Sequence, residues 1–264
     1  MTVVTIGDAT LMLGNCLEIM PTLEGVDHVF SDPPYEDELH EAVDDQRIKR
    51  NDGGRVLDEM GFEGINATRP EAARKVVALS GGWCLLFSLA EGVRAWRDDL
   101  QAAGARWDTT LAWVKPDAQP RFNGQGAARG FECVISCWCG KGHRSWNAGG
   151  KRGIYTHLVN PRSRDGRHPT EKPLALLREI IRDFTQPGDL ICDPYMGGAA
   201  IGVAALAEGR RYIGIEKKPV WFDVAVDRIT AAGGSFALQP GSLFGELPKQ
   251  RKPKADAPAV RRVG

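Results

Sequence analysis

The chain has 264 residues, 42% of them hydrophobic, and its 34 basic and 34 acidic side chains cancel to a formal net charge of zero. That length fits one large α/β domain or two small ones, the neutral balance argues against a uniformly basic surface, and no apolar run reaches the length of a membrane span. Six scattered cysteines and an opening, MTVVTIGDAT, without a basic and apolar leader are expected of a reducing cytoplasm rather than a secreted disulfide framework.

Strand-like and helix-like runs alternate along the chain, which predicts an α/β fold with a mostly parallel sheet and helices on both faces. Residues 10–13 and 27–31 read as strands with a short helix at 16–20 between them. The second strand ends in Ser31-Asp32-Pro33-Pro34-Tyr35-Glu36. Two prolines fix two φ angles, remove two N–H donors and hold Asp32 and Pro33 extended. The corner so formed presents a carboxylate, bare carbonyls and an aromatic ring together. On these four residues alone a plain proline-stiffened loop reads equally well.

Residues 36–67 are polar and read as a mobile excursion. Thr68-Arg69-Pro70-Glu71 has capping-box spacing and opens a helix to about residue 79. A strand at 83–88, a helix at 91–103 stopped by Gly104, and strands at 107–114 and 131–138 follow. Residues 116–168 are rich in Gly, Arg and Asn. From Lys115 to Lys172 there are 11 basic residues (115, 121, 129, 141, 144, 151, 152, 162, 164, 167, 172) against four acidic ones (117, 132, 165, 171), whereas 1–46 hold no Lys or Arg. Such a stretch reads as a localised polyanion site or as a solvated loop face. Cys133, Cys137, Cys139 and His143 have irregular spacing for a metal, and strand alternation predicts the cysteines as core, so no metal is expected.

His168-Pro169-Thr170-Glu171-Lys172-Pro173 leads into a helix started by Pro173, with Leu174, Leu177, Ile181 and Phe184 on one face. A strand at 189–193, a Gly-bearing loop at 194–198, a small-residue helix at 199–208, a strand at 211–216 and a last helix from Pro219 complete the chain, before a basic tail expected to be disordered from about Pro248. Strand, glycine turn, helix, strand and then Glu216, 23 positions after Asp193, form the layout of a nucleotide half-site in which the carboxylate accepts ribose hydroxyls. Neither a G-x-G-x-x-G fingerprint nor a phosphate loop occurs. An adenosyl ligand without phosphates, S-adenosyl-L-methionine, fits that pattern, and an ordinary βαβ unit also accounts for it.

Two long segments, LGNCLEIM followed by VDHVFSDPPY and GRHPTEKPLALLREIIRDFTQPGDLICDPYMGGAAIGVAALAEGRRYIGIE, resemble the amino-methylating (N6-adenine/N4-cytosine) DNA methyltransferases of the permuted class, whose [DNS]PP[YFW] motif precedes target recognition and the cofactor loop. The resemblance implies a circularly permuted, Rossmann-like methyltransferase fold. Its catalytic part would be 1–115, a target-recognition insert 116–168, the cofactor part 169–235, and a disordered tail 248–264. It implies that Asp32 and the Pro33 carbonyl accept the two N–H groups of a base amine, that Pro34 stiffens the corner, and that Tyr35 stacks on a flipped base. It places Asp193, Pro194, Tyr195, Gly197, Gly198, Glu216, Thr170, Lys172 and Asn15 at the cofactor. It assigns Arg121, Arg129, Arg144, Lys151, Arg152, Arg162 and Arg164 to DNA. Asn15 stands where Asp is usual, and Ala199-Ala200 where small hydroxyl residues are common. The implied activity is adenine-N6 methylation of double-stranded DNA by a cytoplasmic monomer or homodimer in a restriction-modification setting, without membrane attachment. N4-cytosine methylation, or a catalytically dead DNA-binding regulator, are the alternatives. The absence of a Pro-Cys dipeptide argues against covalent C5 chemistry.

Overall fold

The computed structural model describes residues 2–36, 64–120, 124–159, 171–233 and 236–238. Most of the excursion expected after Glu36, the expected disordered tail, and Arg121, Arg162, Arg164 and Thr170 lie outside the described residues.

A hairpin of β1 (Thr2–Ile6) and β2 (Ala9–Leu13) opens the chain, followed by α1 (Cys16–Ile19), a 3-10 turn (Met20–Thr22) and β3 (His28–Ser31). Next come α2 (Arg69–Leu79), β4 (Trp83–Ser88), α3 (Val93–Ala102), β5 (Arg106–Val114), β6 (Phe131–Trp138) and β7 (Ile154–Thr156). The last part is α4 (Leu174–Phe184), β8 (Leu190–Asp193), α5 (Ala200–Ala207), β9 (Arg211–Glu216), α6 (Pro219–Ala231) and β10 (Phe236–Leu238). The strands form one sheet in the order β10-β1-β2-β9-β8-β3-β4-β6-β5-β7. Its centre, β2-β9-β8-β3-β4, is parallel throughout. β6 runs antiparallel to both β4 and β5, and β1 antiparallel to β2 and β10.

Burial on both faces explains why the central strands are continuous apolar runs rather than alternating ones. Along β4, Trp83, Leu85 and Phe87 join one core with α4, α5 and α6, while Cys84 and Leu86 join the other with α1, α2 and α3. β6 splits in the same way: Val134 and Trp138 face the first core, Ile135 and Cys137 the second. Cys137 of β6 is therefore a core residue, as alternation predicts, and Cys133 is buried.

Local chemistry departs from expectation at several points. The capping box at Thr68 does not form. Thr68 already has helical backbone angles, its hydroxyl lies 3.4 Å from the Ile65 carbonyl, and Glu71 pairs with Lys75 at 2.8 Å. Pro173 is the extended N-cap of α4, not its first turn. Part of the stretch expected to be a target-recognition insert belongs to the sheet, because β6 sits between β4 and β5 and β7 pairs with β5. Short β1, β7 and β10 were not legible in the sequence. Each is completed by a strand partner rather than by its own pattern.

One buried ion pair ties the last helix to the crevice. Arg228 of α6 donates from Nη1 to the Gly198 carbonyl at 2.5 Å and from Nη2 to Glu171, with side-chain exposures of 4% and 5% for the pair. Arg228→Met strands the Glu171 carboxylate out of water and is expected to cost about 3–5 kcal/mol in denaturant unfolding, whereas adding Glu171→Gln recovers most of that loss. Equal stability of the single and double variants would rule the pair out as the cause.

Candidate active site

Ligands of open α/β sheets gather at the carboxyl ends of strands where the chain direction across the sheet reverses. Here that point lies between β3 and β8. From β3 the chain crosses to β4 on one side, and from β8 to β9 on the other. The loops leaving β3 and β8 diverge from a shared gap, and a hydrogen bond spans it: Ser31 Oγ donates to Asp193 Oδ1 at 2.5 Å. The Asp-Pro-Pro-Tyr corner and the Gly-bearing loop thus meet although 162 positions separate the bonded residues.

Asp193 is buried and fully used. Oδ1 also accepts from the Tyr195 N–H at 3.2 Å, and Oδ2 accepts from the Tyr212 hydroxyl at 3.2 Å. The Tyr212 ring lies close against two glycines. A Cβ at Gly202 would stand 2.5 Å from it and one at Gly214 2.8 Å, so side chains there would push the hydroxyl off Asp193. Burial outweighs these donors and pushes the Asp193 carboxyl up to about 7.

Asp32, one residue past β3, receives Lys172 Nζ on Oδ2 at 2.6 Å, while its buried Oδ1 has no hydrogen-bond partner among the described residues. Lys172 also donates to the Tyr35 hydroxyl at 3.0 Å and lies 3.4 Å from Glu132 Oε2. Its ammonium sits over the rings of Phe87 and Tyr35, 5.1 and 5.5 Å from their centroids. Glu132, at the start of β6, pairs in turn with Lys115 at the end of β5. Burial pulls Lys172 down, but Asp32, Tyr35 and Glu132 hold it well above its ordinary value. Burial raises Asp32 despite Lys172, and burial pushes the Tyr35 phenol up. Glu132 would rise on burial, but the two lysines hold it below the ordinary glutamate range. Pro33 is buried, with Pro34 and Tyr35 partly so. The Tyr35 carbonyl accepts from Ile65 N at 3.2 Å, which sets the segment before α2 against the corner.

Beyond β8, Pro194, Tyr195, Gly197 and Gly198 form the turn into α5. Gly197 has φ +49° and donates its N–H to Glu216 Oε2 at 3.0 Å, and Lys218 N donates to Oε1 at 2.8 Å. Ala199, at the helix entrance, is held at φ +57°, a strained angle for a residue with a Cβ. Burial raises the Glu216 carboxyl. Asn15 caps α1 by accepting from Leu17 N at 3.0 Å, beside the end of β9 because Leu13 pairs with Glu216. Its side chain already has a structural task there.

The described basic candidates, Arg129, Arg144, Lys151 and Arg152, do not form one cluster. Arg129 lies exposed before β6 at the crevice end of the sheet, 3.3 Å from Glu91, and Arg152 is exposed before β7. Lys151 is held by Glu179 at 2.8 Å and by Asp183 on α4, so its ammonium is committed to the fold. Arg144 stands apart from these. It follows β6 at the opposite, amino end of the parallel strands, bound to Asp108 and to the Trp107 carbonyl at 3.0 Å. The antiparallel direction of β6 carries it away from the crevice. Sequence reasoning missed Ser31, Lys115, Glu132, Tyr212 and Arg228. Of these, Glu132 carried one signal, an acid inside an apolar strand on the face opposite the cysteines.

Comparison with known proteins supplies independent findings. A family model described as DNA methylase matches residues 26–227. A type II methyltransferase of Citrobacter freundii, M.Cfr9I, is 30% identical over 199 residues, which covers 71% of this chain and 63% of that protein. The fold is similar to the crystal structure of an M1.HpyAVI-SAM complex, with a TM-score of 0.66, 22% identity, and coverage of 84% of this chain and 98% of that one. It is also similar to the PvuII DNA methyltransferase (cytosine-N4-specific), with a TM-score of 0.62, 17% identity and coverage of 86% and 92%. Among the described residues, no helix is long and apolar enough to cross a membrane.

The raised Asp193 carboxyl makes stability depend on pH. On raising the pH, the unfolded chain releases this proton near the ordinary value of about 4, the folded chain only near about 7. Stability therefore falls across that window. Asp193→Asn keeps the acceptor for Ser31 and Tyr195 and can donate to Tyr212, so its thermal stability relative to the wild type should rise between pH 5 and pH 8. A parallel pH dependence of the two proteins would contradict the burial of a titrating carboxyl here.

Proposed function

The chain belongs to the N6/N4 DNA methylase family, and from that premise we propose that it methylates the exocyclic N6 of adenine at a specific site in double-stranded DNA with S-adenosyl-L-methionine as donor. One observation carries the reading furthest: Asp32 presents a buried oxygen, Oδ1, without a partner among the described residues, at the mouth of the gap bridged by Ser31 and Asp193. Such an oxygen costs stability unless a donor arrives, and an exocyclic amine is a donor.

The chain's own groups then have defined tasks. The lone pair of an aromatic amine is delocalised into the ring, which makes the nitrogen a weak nucleophile. Asp32 Oδ1 accepts one N–H and the Pro33 carbonyl the other, which localises that lone pair. Tyr35 stacks on the extruded base. The nitrogen forms its new bond to carbon as the sulfur–carbon bond breaks, and the proton it sheds passes to the Asp32 carboxylate, whose raised proton affinity suits that task. Positioning and electrostatics supply the rate without a covalent intermediate.

The residues present fit the donor. Glu216 at the end of β9 offers a carboxylate held by two backbone N–H groups beside the Gly197 turn. Gly197, Gly198, Pro194, Tyr195 and Thr170 would line the remainder, and Asp193 holds the turn from below. When bound, S-adenosyl-L-methionine supplies an electrophilic methyl group on a sulfonium. Exposed Arg129 and Arg152, with Arg121, Arg162 and Arg164, are proposed to reach phosphates or base edges. Asp at the first position of the Pro-Pro motif favours adenine over cytosine.

Incubation with labelled cofactor and mixed-sequence duplex DNA, followed by nucleoside analysis, is expected to yield N6-methyladenine. N4-methylcytosine would shift the assignment to the other base, and no labelled base at all would favour a DNA-binding regulator. Asp32→Asn should abolish transfer while cofactor binding, read by calorimetry, stays within about twofold. Glu216→Ala should weaken cofactor binding by about 1–3 kcal/mol, the worth of a charged hydrogen bond. Unchanged affinity would place the ribose elsewhere.

A further inference from the structure

We propose that Glu132 is a positioning residue for methyl transfer, holding the Lys172 ammonium to one side of Asp32 so that Oδ2 is occupied and Oδ1 is left open for the target amine. The inference rests on the proposed function above. It begins from an asymmetry: of the two Asp32 oxygens, Lys172 engages only Oδ2, at 2.6 Å, and Oδ1 is buried and without a partner among the described residues.

An ammonium is a compact point charge that can meet a carboxylate through one oxygen or bridge both, so what else pulls on it decides which. Here it is drawn from other directions. It donates to the Tyr35 hydroxyl at 3.0 Å, and Glu132 Oε2 lies 3.4 Å away with no hydrogen bond of its own among the described residues. Glu132 is anchored in turn because Lys115 holds its other oxygen. Asp32 and Glu132 therefore compete for one cation, and Lys115 balances the second carboxylate. Two acids and two bases share a buried site with no net charge, the condition under which buried ions are tolerated. The groups facing Asp32 are Lys172 from the segment before α4, Glu132 from β6, Lys115 just past β5, Tyr35 on its own loop, and Asp193 at the end of β8. Glu132 also acts at a distance, since its negative charge raises the proton affinity of Asp32.

Without Glu132 the ammonium is free to lie across both oxygens, covering the acceptor and weakening it as a base. Glu132→Gln, nearly isosteric, is therefore expected to lower kcat by about 10–100-fold with cofactor affinity unchanged. It should also move the acid limb of the kcat–pH profile to lower pH. A carbon-13 carboxyl NMR titration of the uncomplexed protein should show the Asp32 midpoint moving in the same direction. The charge-balanced double variant Glu132→Gln with Lys115→Met should show the same loss, and serves if the single variant folds poorly. A wild-type kcat with an unmoved acid limb would overturn the proposal. So would a loss of turnover that merely follows the melting temperature while the Asp32 midpoint stays in place, because that is the mark of a packing role. Should the wild type methylate no base, the proposed function fails, and the Asp32 midpoint still decides whether Glu132 governs the Lys172–Asp32 contact.

Discussion

The hydrogen bond from Ser31 to Asp193 joins the ends of two adjacent parallel strands whose onward chains leave in opposite directions across the sheet. Everything proposed about chemistry depends on that adjacency. One loop carries the carboxylate and aromatic ring of the Asp-Pro-Pro-Tyr corner, and the other carries the glycines and leads to Glu216. Because both hang from a rigid parallel core, their separation is set by strand spacing rather than by loop conformation. A site on such a scaffold needs little reorganisation when its ligands arrive.

The gap is charged and largely buried, and its electrostatics follow from pairing. Asp32, Lys172, Glu132 and Lys115 come from four separate elements and balance one another. Arg228 and Glu171 form a second buried pair next to the first in sequence, and Arg228 also holds the Gly198 carbonyl. The segment before α4 therefore links the two halves of the crevice, with Lys172 turned toward Asp32 and Glu171 toward the glycine turn. Such pairs do little for net stability, since desolvation offsets their attraction. They serve instead to fix where each charged group points.

Much of the scaffold was legible because central strands and amphipathic helices carry their own pattern. The strands at Trp83–Ser88, Phe131–Trp138 and Arg211–Glu216 match their sequence expectation to the residue, and the last helix begins at Pro219 as expected. The edge strands were hidden: three-residue β7 makes sense only against β5. The basic stretch misled in part for a related reason. Counting charges along 115–172 ignores strand direction, and β6 returns the chain to the far end of the sheet, so that Arg144 and Arg129 lie at opposite ends although 15 positions separate them in the sequence.

The sequence by itself determined the alternation of elements, the two strand-end motifs and the family they belong to, because prolines, glycines and apolar periodicity act on their near neighbours. Only the tertiary structure decided that Glu132 and Lys115 join the crevice, that Lys172 faces Asp32, that Lys151 is committed to α4, and that Arg144 lies at the opposite end of the sheet. Those contacts join elements distant along the chain, and a long-range ion pair leaves no trace in local spacing.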